Sequence, residues 1–322
     1  MSAPPLVGKT ALVTGGTGGI GLETALGLAK LGAAVTVVGR DEARGREAVE
    51  RIRCQSGNPD VELMTADLSS LDEVRALAER IAAAHERLDL LVNNAAGLYA
   101  ERRETMDGME ATLAMTHLSP ALLTHLLLPL LRRSAPARIV NVSSGAHRWV
   151  RPRWDDLQSA RGYRGLEAYG RAKLLNLLWT NELARRLRGT GITVIAADPG
   201  MAATEMSGAI VPEMLPASLR LAWPLLRRMG RRRTAEAAAR SSVVAATSRD
   251  VQGGALLDPR GKAVEWSRTA RDGELALRAW EVTAELLGLE AEHFAGSRSR
   301  TRRTEEEPRF TAPRLVVAGA AA

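Results

Sequence analysis

Thr14-Gly15-Gly16-Thr17-Gly18-Gly19-Ile20-Gly21 stands between a β-branched run at residues 10–14 and an apolar-periodic stretch at residues 20–31. The first reads as a buried strand and the second as a helix, so the glycines sit at a strand–turn–helix corner. Glycine there permits a tight turn and a close approach of a pyrophosphate. The free N–H groups and positive dipole end of the helix then attract that anion. A glycine-rich run alone also describes a flexible turn. The flanking strand and helix favour the anion site, with Gly15, Thr17, Gly18, Gly19, Ile20 and Gly21 as its contacts.

Outward from this corner the same alternation continues. Short apolar runs at residues 34–38, 61–65, 88–92, 138–142 and 193–197 read as strands. Residues 41–56, 71–85, 113–133 and 167–188 read as helices, the third with bend points at Pro120 and Pro129. Near-continuous apolar strands between helices imply an α/β fold. The expected architecture is a Rossmann-type doubly wound parallel sheet covered by helices on both faces. Further helices at residues 234–247 and 275–287 and a strand at residues 255–257 bring the expected total to about seven strands, in a single domain over residues 1–294. From residue 295 the composition turns to Arg, Ser, Thr, Glu and Pro, and residues 295–322 are expected to be a disordered tail. No internal repeat is evident.

The 322 residues are 45% hydrophobic and 25% charged, which fits a soluble globular chain. Cys54 is the only cysteine, which excludes an internal disulfide and suits a reducing, cytoplasmic setting. The first ten residues lack a charged stretch followed by an apolar run, so no signal peptide is expected. No apolar stretch reaches the roughly 18 residues of a spanning helix; the best, residues 121–131, is short and holds His125. The net charge of +7 invites a nucleic-acid partner, but the arginines lie beside glutamates along helices, as at residues 182–186, and none is expected. The histidines show no metal-like clustering, and no Gly-x-Ser-x-Gly elbow surrounds a serine.

Two further features carry chemistry. The second strand ends Val37-Val38-Gly39-Arg40-Asp41. Sites for NAD(H) usually place an acid there for the ribose 2′-hydroxyl, whereas a nearby arginine accommodates a 2′-phosphate. Gly39 leaves the acid position empty and Arg40 follows it, which favours NADP(H) over NAD(H), unless Arg40 is an ordinary surface arginine paired with Asp41. Asp67, with Leu68 beside it, is placed to accept from an adenine amino group. Its other reading is a helix N-cap, a role Ser69 or Ser70 can fill. The second feature is Tyr169-Gly170-Arg171-Ala172-Lys173. The chain has three tyrosines and four lysines, so chance predicts about 0.04 such pairs. On a helix this spacing shares a face. A lysine there would pull the phenol below its usual pKa of about 10 and ready it for proton transfer. Tyr163 has no lysine at that spacing.

Thr14–Gly21, Asp67, Asn93-Asn94-Ala95, Asn141-Val142-Ser143-Ser144, Tyr169–Lys173 and Pro199-Gly200 together resemble the short-chain dehydrogenase/reductase superfamily, over about residues 7–290. Residues 122–128, 138–144, 182–187 and 280–289 are similar to its retinol dehydrogenase and protochlorophyllide reductase branch. The resemblance implies Tyr169 as general acid in reduction and base in oxidation. It implies Lys173 as the group that tunes Tyr169 and binds the nicotinamide ribose, and Ser144 as donor to the substrate oxygen. It places Asn94 and Ala95 along the cofactor cleft, and Pro199, Gly200 and Thr204 at the carboxamide end. It allows a homodimer through the helices at residues 113–133 and 167–188, and also a monomer.

Two positions depart from that pattern. Thr116 stands where the family has a helix asparagine whose carbonyl serves a proton relay, and Ala96 replaces a glycine that here comes one place later, as Gly97. Residues 201–233 are expected to form a substrate lid; their many apolar residues either line a pocket for a lipophilic carbonyl or alcohol or pack the lid onto the core. Pro216, Pro224 and Gly230 interrupt any membrane-surface helix there. The expected function is NADP(H)-dependent interconversion of a lipophilic ketone or aldehyde and its alcohol. The alternatives are a catalytically silent NADP(H)-binding regulator or scaffold and a sugar-nucleotide epimerase, the latter disfavoured by the glycine spacing.

Overall fold

The β-branched runs form strands β1 (Thr10–Thr14), β2 (Ala34–Gly39), β3 (Val61–Thr65), β4 (Leu90–Asn93), β5 (Ala137–Val142), β6 (Ile192–Ala197), β7 (Leu256–Leu257) and β8 (Ala263–Val264). These are seen in a computed structural model that describes residues 5–202, 204–208, 210–214 and 233–290. They make one sheet in the order β3-β2-β1-β4-β5-β6-β7-β8, parallel except for the β7–β8 pair. The chain winds one way from β1 to β3 and the other way from β4 onward. The strand order therefore reverses between β1 and β4, where an open α/β sheet presents a crevice at the strands' carboxyl ends.

Helices α1 (Gly19–Lys30), α2 (Glu42–Ser56), α3 (Leu71–Ala84), α4 (Ala111–Arg133), α5 (Gly165–Arg186), α6 (Ala235–Thr247) and α7 (Gly273–Leu286) cover both faces. One apolar layer holds α1 and α2 against the sheet through Leu28, Val37, Ile52 and Ile195, and α6 packs on α1 there. The opposite layer holds α3, α4, α5 and α7 through Leu77, Leu122, Leu174 and Trp280. Trp179 of α5 stacks on Trp280 of α7 at 6.1 Å, and the Arg186 guanidinium lies 4.4 Å from the Trp280 ring centre. Local signals set the helix starts: the Asp41 carboxylate accepts from the amide of Arg44 and Ser70 from that of Glu73.

The structure corrects the sequence reading at three places. The sheet has eight strands, because Ala263–Val264 adds an antiparallel edge of two exposed residues, too short for a period-two pattern to register. The helix expected at residues 113–133 begins at Ala111 and contains a π-helical turn, Ala114–Leu118. Its 23 residues are apolar and long enough to cross a membrane by composition, contrary to expectation, but 78% of the apolar window is buried inside the fold, which makes it a core helix. The tail at residues 295–322 and residues 203, 209 and 215–232 of the lid lie outside the described residues.

Candidate active site

A cavity of about 480 Å³ opens at the reversal point between β1 and β4. Gly15, Thr17, Gly18, Gly19, Ile20, Gly21, Arg40, Asp67, Leu68, Asn94, Ala95, Tyr169, Lys173, Pro199 and Thr204 all line it. The glycines are there for steric reasons. Gly15 has a φ of 63°, which favours glycine, and a Cβ on Gly21 would strike the Gly15 carbonyl oxygen. Asn94 binds β4 to this loop: its Nδ2 donates to Thr14 O at 2.9 Å, and the amides of Asn94 and Ala95 donate to Thr14 Oγ1 at 3.0 and 3.1 Å. Helix α1 has Gly18 as its N-cap, with no side-chain cap and no acid in its first turn. Its leading amides have no competing side-chain acceptor, which fits a pyrophosphate at this helix end.

At the outer end, Thr17 occupies the space beside Gly39: a Cβ on Gly39 would lie 2.5 Å from Thr17 Cγ2 and 2.8 Å from its Oγ1. Arg44, from the first turn of α2, folds back along Gly18 and donates from Nε to Thr17 O at 3.3 Å. Arg44 thus joins Arg40 on the cavity wall. It escaped the sequence reading because nothing local marks a helix residue that turns back over the preceding loop. Asp67 is not the cap of α3, since Ser70 fills that role; Asp67 Oδ1 accepts from Ser69 N at 2.9 Å and Ser69 Oγ at 2.7 Å.

At the inner end, α5 presents Tyr169 and Lys173 on one face. Lys173 is buried and donates from Nζ to the Val142 carbonyl at 2.6 Å, with Nζ 5.8 Å from the Tyr169 ring centre. Burial lowers the Lys173 pKa from 10.5 to about 8, with the Asp198 carboxylate pulling it back up. Burial pushes the Tyr169 phenol up to about 12, a hydrogen bond with Ser144 works downward, and Asp198 adds to the rise. The expectation that Lys173 pulls the phenol below 10 is therefore not met: burial raises the phenol instead, and the Lys173 ammonium donates to Val142. Asp198, itself buried, is an acid the sequence reading passed over, since nothing in Asp198-Pro199-Gly200 announces burial.

Two expected residues are not among those lining the cavity. Ser144, partly exposed beside Tyr169, caps the short 3-10 helix Gly145–Trp149, while the neighbouring Ser143 lines the cavity with a buried, unpartnered hydroxyl. Gly200, with φ 68°, turns towards Pro259. Tyr163 is engaged elsewhere, donating to Tyr99 O at 3.2 Å.

The two departures from the family pattern have physical answers. Ala96 lines the cavity, and the tight space lies one place later: a Cβ on Gly97 would lie 3.0 Å from Tyr99 and 3.1 Å from Met115. Thr116 lies in the π-helical turn, its hydroxyl bridging the Gly97 amide and carbonyl at 3.1 and 3.2 Å. Its own carbonyl accepts from Asn176 Nδ2 at 3.0 Å. Asn176 belongs to a buried polar chain through Thr180, Asn141 and Asn93 that crosses the centre of the sheet. No cluster of three or more potential metal ligands occurs among the described residues.

A switch-point cavity with a glycine cradle, and a tyrosine and lysine one helical turn apart at its inner end, define a nucleotide-dependent oxidoreductase class. Residues 9–215 match the model of the short chain dehydrogenases, and the chain belongs to that family. Among curated relatives it is 38% identical to mouse retinol dehydrogenase 12 over 288 residues, 88% of each chain. Among solved structures, an uncharacterized protein from Mycobacterium Paratuberculosis is 30% identical with a TM-score of 0.72, covering 90% of this chain and 97% of that one. A Pseudomonas aeruginosa RhlG/NADP active-site complex is 31% identical with a TM-score of 0.63, covering 81% and 98%.

Proposed function

We propose that this chain is an NADP(H)-dependent reductase that converts a lipophilic ketone or aldehyde into its alcohol. The observation that carries this reading is Tyr169, beside Ser144 and sharing a cavity wall with Lys173 and the glycine cradle. When bound, the nicotinamide supplies the hydride. The first-turn amides of α1 hold the pyrophosphate, and Arg40 and Arg44 receive the 2′-phosphate. Thr204 and Pro199 stand at the carboxamide end. Ser144 donates to the substrate oxygen as negative charge develops on it, and Tyr169 delivers the proton to the same oxygen.

A phenol whose pKa is about 12 stays protonated at neutral pH, which suits an acid in reduction. Lys173, with a pKa of about 8, keeps its charge there and steadies the phenolate left after transfer. Leu98, Met115 and Met206 give the wall an apolar stretch, which supports a lipophilic substrate, as does the relative named for retinol. The neighbour solved with NADP supports the cofactor. Cys54, free and exposed, suits a reducing cytoplasm. Of the two oligomeric states, the monomer is supported by α7, which covers α5 at Trp179.

The test is reduction of a panel of lipophilic aldehydes and ketones with NADPH and NADH, by the wild type and Tyr169→Phe. The variant should lose turnover by about 10²–10⁴-fold while binding NADPH within about threefold of wild type. Full turnover by the variant overturns the mechanism. Tight NADPH binding with no turnover on any carbonyl by the wild type would favour the silent binding-protein reading instead.

A further inference from the structure

We propose that Thr17 and Gly39 form a steric lock at the ribose 2′ position, so that cofactor choice rests on this pair and no acid placed at residue 39 alone can reverse it. The inference rests on the reading of the cavity as a dinucleotide site. Gly39 does not use the left-handed backbone that glycine favours, so conformation does not require glycine there. Space does. A Cβ on Gly39 would lie 2.5 Å from Thr17 Cγ2, 2.8 Å from Thr17 Oγ1 and 3.2 Å from Thr17 Cβ. Turning Thr17 about χ1 moves the first two atoms, but the third stays, and a β-branched residue has few rotamers to offer.

Both backbones are tied in place. Gly39 is held in register opposite Thr65, and its carbonyl accepts from Ala66 N at 3.1 Å. The loop carrying Thr17 is tied to the end of β2 by Gly16 N to Val38 O at 3.2 Å, and Arg44 Nε reaches Thr17 O at 3.3 Å. An acid at the end of the second strand is the general partner of an unphosphorylated ribose. In this chain its place is filled by the Thr17 side chain, and the two arginines beside it are left as the charged groups facing a 2′ substituent.

The experiment measures dissociation constants of NADP+ and NAD+ by isothermal titration calorimetry for the wild type, Gly39→Asp, Thr17→Gly and the double variant. Gly39→Asp alone should weaken NADP+ by at least about tenfold and change NAD+ by less than about threefold. Adding Thr17→Gly should then tighten NAD+ by about tenfold relative to Gly39→Asp. Equal NAD+ affinity in the single and double variants overturns the lock.

Gly39→Ala guards against misfolding. Its melting temperature should fall in the wild-type background and recover with Thr17→Gly, and an equal fall in both backgrounds also overturns the lock. A wild type that binds the two cofactors equally overturns the preference for NADP(H) instead. It leaves the Thr17–Gly39 coupling to be decided by the same two comparisons.

Discussion

At the outer end of the cavity, Arg40 and Arg44 are exposed, and Thr17 and Gly39 meet beside them at partly accessible positions. At the inner end, Lys173, Asp198, Ser143 and Asn176 are buried, and burial moves the proton affinities of Tyr169 and Lys173 in opposite directions. On the proposed function, selection at the outer end would depend on shape and screened surface charge, so changes there should alter affinity and spare the fold. The chemistry proposed for the inner end would depend on polar groups held away from water, so each of them also bears on stability.

Lys173→Met gives the largest expected effect and tests both halves of that contrast. Turnover should fall by about 10²–10⁴-fold. The folded pKa of about 8 lies below the ordinary 10.5, so between those values the unfolded chain binds more protons, and wild-type stability rises with pH across that window. The Met variant lacks this rise. Melting curves from pH 8 to 10, below the range in which Tyr169 contributes its opposite trend, read the difference. Parallel curves for the two proteins would break the comparison.

Asn176→Leu removes the donor to the Thr116 carbonyl and should cost about 1–3 kcal/mol in denaturant unfolding. Arg44→Ala, at the outer end, should stay within about 0.5 kcal/mol of wild type. Equal losses would mean that the two ends are not built differently.

The smallest effect concerns His117, buried in the π-helical turn with Nε2 2.7 Å from Thr283 Oγ1 of α7. Burial lowers its pKa from 6.5 to about 3, so its contribution is present above 6.5 and is lost as pH falls towards 3. His117→Asn should flatten the fall in melting temperature between pH 6.5 and pH 4. An unchanged slope would place that acid sensitivity elsewhere, His147 being another buried imidazole with a lowered pKa.

Most of the sheet was legible because buried parallel strands are written as continuous apolar runs, and the helix starts because Asp41 and Ser70 act on amides three residues away. The two-residue β8 carried no such run. The π-helical turn was illegible for a different reason: its partners are Gly97 and Asn176, 19 and 60 residues away along the chain. Arg44 and Asp198 were missed because each acquires its place only when a helix or strand end folds against a loop from elsewhere.

The sequence by itself determined the order of strands and helices, the glycine corner and the pairing of Tyr169 with Lys173, since all of these follow from neighbours within a few residues. Tertiary structure alone decided which proton affinities those residues have, that Ser143 lines the cavity, and that Thr17 fills the space beside Gly39. Desolvation and steric exclusion belong to the assembled surroundings of a residue, and no short stretch of chain contains them.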